Sequence, residues 1–338
     1  PELLPIAQFQ QFFQRPAHHF LRHKLGVYYP SAEDQTESHE RFALKGLEKY
    51  QLQSEALHAY IRYEGELSAF KQRMLATGKL PVGHAGAWFL EHTLQELEPF
   101  FPVLRSLFAV ETAHYQGAWQ ADGQAEAPPP LHGQFMAYHL PYLAPGALHV
   151  QWRPGRFKAN AMLKLWIEHL WMPLGLPQEG IISCTLALDP KTKTPSLFYI
   201  DPLDTPRARE LLQSLMAIYT EGQRVPLPFA PKTSWAFAES YLDKKQRSLA
   251  EKAARKSWET DHFTRSPGDS EDASFAHCLE TDWFTQDESQ ALALAIFEPL
   301  SEALRCVPLS QLDPTAPFER LLSASPTAPS KAVDHAQL

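Results

Sequence analysis

The chain has 338 residues, of which 44% are hydrophobic, enough for two domains or one large domain with extensions. Its 31 lysines and arginines stand against 39 aspartates and glutamates, so the net charge of −8 excludes a surface that binds DNA through overall charge and requires a local patch instead. No run approaches 18 apolar residues, so no membrane span is predicted, and three widely spaced cysteines without a CxxC pair (Cys184, Cys278, Cys306) are typical of a reduced, cytoplasmic protein.

Residues 1–120 are predicted to form a helical N-terminal part. Apolar residues recur there at helical spacing, and prolines and glycines mark the breaks. The predicted helices lie at residues 5–29 (two short helices that Pro16 separates), 46–76 and 86–108, with an acidic loop at residues 30–40.

Two short patterns in this part were weighed as ligand sites. His19 and His23 have the i,i+4 spacing that lets two histidines share a metal ion, and His18 lies beside them, but no third ligand with a recognised spacing follows. A solvated or capping role is therefore favoured. Gly78-Lys79 lacks the rest of a phosphate-binding loop, so the chain predicts no ATP site of its own.

Residues 131–171 predict the centre of an α/β domain. The pattern is, in order, a strand at 131–140, a Pro/Gly turn at 141–146, a strand at 147–153, a basic turn at 153–156, and a helix that ends before Pro173. That helix is apolar nearly all round, with a narrow polar edge at Lys164, Glu168 and His169. Because a helix of this kind is buried between layers, we expect it to lie on a sheet.

The C-terminal part completes a predicted α/β core over residues 121–307. The predicted elements are a hairpin of strands at 180–188 and 195–201 with Lys191 and Lys193 at its tip, and helices at 204–221, 233–258 and 287–304. The helix at 233–258 is amphipathic and basic, which favours a solvated face and leaves open DNA or an acidic partner surface. Residues 308–338 are predicted to be a flexible tail.

The central stretch resembles the core of the PD-(D/E)XK nucleases, which carry Gly-x-x-Asp on one strand and Asp/Glu-x-Lys on the next. In that family the carboxylates bind Mg²⁺, which generates the attacking hydroxide. Here the family glycine aligns with Gly133, so Met136 stands in place of the aspartate, and Gln151 and Arg153 stand in place of the carboxylate and the lysine. A thioether and a lone amide do not replace the oxygen ligands of Mg²⁺.

The same family has a metal-binding histidine on an earlier helix, in a Gly-x-x-x-His-Glu pattern. Counted from Gly86, the histidine position holds Leu90, followed by Glu91. The resemblance thus implies a mixed sheet flanked by helices, with degenerate positions at Leu90, Met136, Gln151 and Arg153, no catalytic residue and no bound metal.

Longer phrases resemble the C-terminal domain of the gamma-subunit family of exodeoxyribonuclease V, the RecC family. The matching phrases are at residues 12–16 (FFQRP), 42–52, 78–83, 152–159 (WRPGRFKA), 165–170 (LWIEHL) and 219–229. Each phrase is modest alone, but their shared order over roughly residues 3–310 makes the match specific. The resemblance implies that the chain is a C-terminal fragment of a longer protein.

What this resemblance implies is a non-catalytic part of a helicase–nuclease complex. Such a domain guides DNA at the point of strand separation and docks the beta and alpha subunits during double-strand-break repair by homologous recombination. Its partners are those subunits, double-stranded DNA ends and the separated strands, in a hetero-oligomer. Mg²⁺ and ATP are used by the partner subunits, and this chain needs no cofactor.

The residues best suited to touch DNA are Trp152, Arg153, Arg156 and Lys158, with Lys191 and Lys193 at the hairpin tip. Arginine binds phosphate as a charged fork, and an exposed tryptophan stacks on a base. Core packing of Trp152 and solvated charges in the basic turn and at the hairpin tip are the plainer alternatives.

Two other functions stay open at this point. The first is an active metal-dependent nuclease with relocated ligands drawn from Glu91, His92, Asp189 and Asp201. The second is a pure protein-interaction scaffold, which the acidic net charge favours for the isolated chain.

Overall fold

In a computed structural model of the chain, the structure describes residues 3–27, 46–81, 83–121, 129–143, 146–176, 180–260 and 267–321. The predicted acidic loop at 30–40 and most of the predicted linker at 121–130 lie outside these ranges, as does the end of the predicted tail. No helix in the described part of the chain is both long enough and apolar enough to cross a membrane.

The first hundred residues are mainly helical, whereas strands and helices are mixed in the rest of the chain. The helices are α1 Ile6–Gln14, α2 Pro16–Lys24, α3 Gly46–Arg62, α4 Ser68–Ala76, α5 His84–Gln95, α6 Phe101–Arg105, α7 Ala159–Gly175, α8 Thr205–Gly222, α9 Pro231–Lys244, α10 Arg247–Trp258, α11 Ala273–Cys278 and α12 Asp287–Ala303. The strands are β1 Leu4–Pro5, β2 Glu111–Trp119, β3 Leu131–His139, β4 Ala147–Arg156, β5 Ile181–Leu188, β6 Pro195–Ile200 and β7 Leu304–Pro308.

These strands form one mixed sheet in the order β1-β3-β4-β5-β6-β7, with β2 paired to β3. The pairs β1–β3 and β4–β5 are parallel, and the other neighbours are antiparallel. The predicted α/β fold, a mixed sheet flanked by helices, is confirmed. The pair β3–β4 meets in register only at Tyr138 and Leu148, so the two strands diverge beyond that point.

Each face of the sheet carries its own hydrophobic core. On one face α7 packs with α1, α8 and α12, and on the other face lie α3, α4, α5 and α6. The α7 side chains Trp166 and Trp171 are 2% and 0% exposed. Burial of a large apolar side chain contributes on the order of 2–3 kcal/mol, so α7 is the main apolar contributor to the first core.

Strand β4 lies between the two cores, and its side chains alternate between them. Leu148 and Val150 belong to the second core, and Trp152 packs against it. His149 and Gln151 point the other way, toward Glu168 of α7. This alternation aims two polar side chains of a central strand at a buried helix.

The predicted polar edge of α7 is mostly wrong. Lys164 is exposed, but Glu168 is 4% exposed and His169 is 2% exposed. Both side chains lie inside the layers because other elements supply their hydrogen bonds, which a helical pattern by itself does not reveal.

The predicted basic turn at 153–156 is the end of β4. The register between β4 and β5 shifts there, since Trp152 pairs with Leu186 and Arg156 with Leu188. Between these two pairs β4 advances by four residues while β5 advances by two, so β4 contains a bulge. Pro154 lies within this bulge, where a missing N–H breaks no ladder hydrogen bond.

Two predicted helices are divided in the structure. The segment 46–76 breaks at Gly65, which has a φ of +93°, and the segment 233–258 breaks at Lys245, which has a φ of +51°. After the second break α10 packs back on α9, with Ala250 and Ala254 fully buried in a third, smaller core. Small residues permit this close approach of the two helices. The periodic spacing of basic residues over 233–258 does not by itself distinguish two packed helices from one straight helix.

Two strands lie where none is predicted. Strand β2 falls within the expected helical part and pairs with β3 along its whole length, from Glu111–His139 to Trp119–Leu131. Strand β7 follows α12 and pairs with β6. Each is an edge strand that pairs with one neighbour among the described strands, so its formation depends on pairing with a strand that is distant in sequence. Within the predicted tail, Phe318 is fully buried in the second core.

Candidate functional site

A buried carboxylate of α7 lies against the first half of β4. Glu168 of α7 accepts a hydrogen bond at Oε1 from Gln10 Nε2 (2.9 Å) and another at Oε2 from Gln151 Nε2. His149 Nε2 lies 3.2 Å from the same Oε2. Burying a carboxylate is costly unless it is paired, and these three partners supply that pairing. We call Gln10, His149, Gln151 and Glu168 the Glu168 network.

His149 occupies the gap that opens between β3 and β4. Its Nδ1 donates to the carbonyl oxygen of Met136 (3.2 Å), and its ring lies edge-on to Phe135 with centroids 5.2 Å apart. Because a carbonyl only accepts, Nδ1 carries a proton. The Nε2 atom then either donates to Glu168, as an imidazolium, or accepts from Gln151 Nε2 at 3.2 Å, as a neutral ring.

The structure does not bring the degenerate positions together. Gln151 faces α7 and donates to Glu168. The Met136 side chain packs against the second core, on the opposite face of the sheet, and Leu90 is 1% exposed in that core. Arg153 lies past the point where β4 begins to bulge. Of the four positions, only Gln151 and Arg153 border a common space.

The ligands of the alternative nuclease hypothesis also stay apart. Glu91 pairs with Lys71 at 2.9 Å, and His92 lies 3.6 Å from Glu96. Asp189 accepts the backbone N–H groups of the hairpin turn. Throughout the described ranges, no group of three or more His, Cys, Asp or Glu side chains is placed to hold a metal ion.

The histidines of α2 form a stack rather than a ligand set. The rings of His19 and His23 lie 4.3 Å apart, and His19 is 7% exposed. Burial lowers the pKa of His19 to about 4, so its ring is neutral at physiological pH. This agrees with a packing role.

A cleft of about 240 Å³ opens where β4 ends, beside α7. Gln151 and Thr185, which are register partners on β4 and β5, border it together with Arg153. The other bordering residues are Gln14, Tyr50, Trp152, Asn160, Ala161 and Lys164. The cleft and the Glu168 network therefore share one residue, Gln151.

Cations gather around this cleft although the whole chain is acidic. The pKa of Lys158 is lowered, first by burial and then by the positive charges of Lys232, Arg156 and Arg153. Ion-pair partners for Arg153, Arg156, Lys158 and Lys164 are absent among the residues that the structure describes. We call these four residues the cationic rim. Sequence reasoning identified three of them, but not Lys164.

Trp152 has a packing role that the sequence left open. It is half-buried against the second core, its ring lies 5.5 Å from that of His58, and its indole nitrogen is buried. The Arg153 guanidinium lies 6.0 Å from the centre of the Tyr50 ring. An added Cβ at Gly155 would approach that ring to 3.0 Å, so a larger residue there would require the Tyr50 ring to shift by a few tenths of an ångström.

The hairpin tip is separate from the cleft. Lys191 pairs with Glu239 of α9 at 3.1 Å, and Lys193 is exposed with a φ of +62°. Neither borders the cleft. The residues that sequence reasoning missed are His149, Lys164, Glu168 and Thr185. The i,i+4 spacing of Lys164 and Glu168 indicates that the two residues share one face of a helix, so it could have identified them together. The residues beside Thr185 on its strand contain no comparable indication of a site.

Comparisons with known proteins agree with this architecture. The model of the RecC C-terminal domain family matches residues 1–242. The RecBCD enzyme subunit RecC of Escherichia coli K12 is 27% identical over 244 residues, which cover 72% of this chain and 20% of that protein. The RecBCD enzyme subunit RecC of Mycolicibacterium smegmatis is 34% identical over 79 residues, which cover 23% of this chain and 7% of that protein.

The chain thus spans about a fifth of the E. coli relative, and its last hundred residues lie beyond the family match. The matched region contains the five elements that supply the residues of the cleft and the Glu168 network, namely α1, α3, β4, α7 and β5. Since the family model covers well over half of the chain, the chain belongs to the RecC C-terminal domain family.

Proposed function

We propose that this chain is a non-catalytic domain of a RecBCD-type helicase–nuclease, also called exodeoxyribonuclease V. It guides DNA where the strands separate and docks the beta and alpha subunits during double-strand-break repair by homologous recombination. The assembly is a cytoplasmic hetero-oligomer whose partner subunits use Mg²⁺ and ATP. Membership of the RecC C-terminal domain family and the names of two relatives as RecBCD enzyme subunits support the proposal.

The observation that carries the non-catalytic part is the Glu168 network. The carboxylate nearest to the end of β4 accepts hydrogen bonds from Gln10 and Gln151 and lies beside His149. Its oxygens therefore have protein partners already, whereas a catalytic Mg²⁺ needs carboxylate oxygens that are free to bind it.

The cationic rim is the DNA contact in this proposal. Arg156 and Lys158 are exposed and free of ion pairs within the described ranges, and Arg153 lies beside them. Unpaired cations on an acidic protein attract phosphate locally while the remaining surface stays suited to protein partners. Trp152 holds this edge in place through its packing.

Binding of a fluorescent forked duplex at two salt concentrations tests the proposal. The double variant Arg156→Gln/Lys158→Gln should bind about tenfold more weakly, with a salt slope lower by about 0.9 for each lost phosphate contact. The control is Lys252→Gln/Lys256→Gln, which removes two exposed cations of α10. Equal binding by the two double variants would contradict a DNA role for the rim.

A protein-interaction scaffold is the second candidate, and the net charge of −8 favours it. It predicts weak DNA binding that does not change with salt, because phosphate contacts must weaken as salt rises. It also predicts that both double variants assemble with the partner subunits as the parent chain does.

A further inference from the structure

Thr185, which borders the cleft, has a buried and unsatisfied hydroxyl. Its side chain is 2% exposed, and its Oγ1 has no hydrogen-bond partner among the described residues. Buried hydroxyls are nearly always paired, because an unpaired one has given up its hydrogen bonds to water. A polar ligand atom in the cleft would supply the missing partner.

The charge around that hydroxyl selects an anion. Arg153 and Lys164 border the cleft from two different elements, and the Arg153 Nε is also buried without a partner in the described part of the chain. Glu168 lies a helical turn beyond Lys164, does not border the cleft, and accepts hydrogen bonds from Gln10 and Gln151.

The beginning of α7 adds donors at the same place. This 17-residue helix begins at Ala159 without a side-chain cap, and Asn160 and Ala161 border the cleft. The first N–H groups of a helix and its dipole both favour an anion. Arg153 and Lys164 border the same cleft, so two cations and the beginning of α7 lie around one space.

An aromatic groove continues from the cleft along α3. It has a volume of about 660 Å³ and shares Tyr50 with the cleft, and His58 and Tyr63 also border it. Arg62 and Arg73 contribute positive charge, of which Glu55, 3.9 Å from Arg73 in the same groove, offsets part. Rings beside cations are the arrangement that binds single strands, because unpaired bases stack on the rings while the backbone follows the charge.

We infer that the cleft seats one backbone phosphate of a single DNA strand without a metal ion, with the adjoining bases against the rings along α3. The inference deepens the proposed function, because it names the strand and the contacting atoms. Lys164 and Arg153 neutralise the phosphate, and the Thr185 hydroxyl binds one of its oxygens.

The first test uses the Thr185→Val variant. Valine has the shape of threonine, and the hydroxyl that it removes has no partner in the described protein, so the fold should be retained. Anisotropy of a fluorescent 20-nucleotide oligothymidylate in EDTA should show about fivefold weaker binding. The control is Thr93→Val, which removes an equally buried and unpartnered hydroxyl from α5 and should leave binding unchanged.

The second test uses Lys164→Gln against the exposed, unpaired Lys252→Gln. The first should weaken oligothymidylate binding about tenfold and lower the salt slope by about 0.7, the single-strand value for one phosphate. At matched ionic strength, addition of Mg²⁺ should not change the affinity for oligothymidylate. Binding that requires Mg²⁺, or Thr185→Val and Lys164→Gln variants that bind like their controls, would overturn the inference.

Fork binding separates this inference from the proposed function. If Arg156→Gln/Lys158→Gln weakens fork binding while Thr185→Val binds oligothymidylate normally, the proposed function stands and the inference fails. If neither DNA binds, both DNA contacts fail. If Lys164→Gln weakens only assembly with the beta or alpha subunit, the cleft takes a protein carboxylate instead, which also overturns the inference.

Discussion

Both ends of β4 carry polar side chains, but they differ in whether those side chains have partners. We call the end at His149 and Gln151 the inner end and the end at Arg153 the outer end. At the inner end, His149 and Gln151 are engaged with Glu168 and with the backbone of β3. At the outer end, Arg153 and its neighbours in the cationic rim have no acidic partner among the described residues. Satisfied polar groups specify a fold, whereas unsatisfied cations beside a cleft are available to a ligand. We therefore expect the inner end to stabilise the fold, and we propose that the outer end binds DNA.

Removing Glu168 should have the largest effect on stability. The Glu168→Ala variant leaves Gln10, His149 and Gln151 without their shared acceptor, and loss of one partner from a buried ionic network costs about 3–5 kcal/mol. The free energy of unfolding in urea measures this cost. Lys164→Ala, one turn away and exposed, should cost less than about 0.5 kcal/mol. If Glu168→Ala and Lys164→Ala lowered the free energy of unfolding by similar amounts, the Glu168 network would not have the stabilising role that we assign to it.

His169, next to Glu168 in sequence, should make stability depend on pH. Burial lowers its pKa to about 4, so the folded protein keeps the ring neutral while the unfolded chain takes up a proton below about pH 6.5. The stability contributed by the neutral ring is therefore present above pH 6.5 and is lost as the pH falls from 6.5 to 4. The loss is about 1.4 kcal/mol per pH unit in that window.

The His169→Asn variant tests this dependence. Urea unfolding should be measured between pH 7.5 and 4.5. The free energy of unfolding should change less steeply with pH in the variant than in the parent chain, by the equivalent of about one proton. Replacement of the exposed His92 by Asn is the control and should leave the slope unchanged. An unaltered slope in His169→Asn would mean that this ring is protonated in the folded protein.

Trp152 should contribute more to packing than an exposed tryptophan does. It packs half-buried against the second core, so Trp152→Ala should lower the free energy of unfolding by about 2 kcal/mol, roughly half the cost at a fully buried site. Trp88 is 65% exposed, and Trp88→Ala should cost less than about 0.5 kcal/mol. If both variants lowered the free energy of unfolding in urea by the same amount, a packing role for Trp152 would be contradicted.

The hairpin tip should show the smallest effect. Lys191 forms an exposed ion pair with Glu239, and such pairs contribute about 0–1 kcal/mol. Lys191→Gln/Lys193→Gln should therefore change the stability by less than about 1 kcal/mol and leave fork binding within twofold of the parent. A tenfold loss of fork binding would move the DNA contact from the cationic rim to the hairpin.

The strongly periodic elements were predictable from the sequence. The apolar run of α7, the β5–β6 hairpin and the helix α8 are confirmed, although α7 continues through Pro173 to Gly175 instead of ending before the proline. Local pattern and burial agree in these elements. The edge strands β2 and β7 were not predictable, since backbone pairing with a distant strand forms them. Local sequence contains no sign of such pairing.

The site was predictable only in part, for the same reason. Arg153, Arg156 and Lys158 are adjacent along the chain, so their cluster was visible as a motif. Glu168 and Thr185 matter through neighbours from other elements, such as Gln10, which is 158 residues from Glu168. A single sequence does not show which polar residues a fold will bury together.

The most direct test of the central claim, that the nuclease-like core is non-catalytic, is a single-turnover cleavage assay. Purified chain in excess would be incubated with linear and forked duplex DNA in Mg²⁺ and in Mn²⁺. The account predicts no product beyond that of a no-protein control, together with fork binding that weakens as salt rises. Metal-dependent cleavage that Glu91→Ala or Asp201→Ala abolishes would contradict it and would mean that an active site has been rebuilt from other carboxylates.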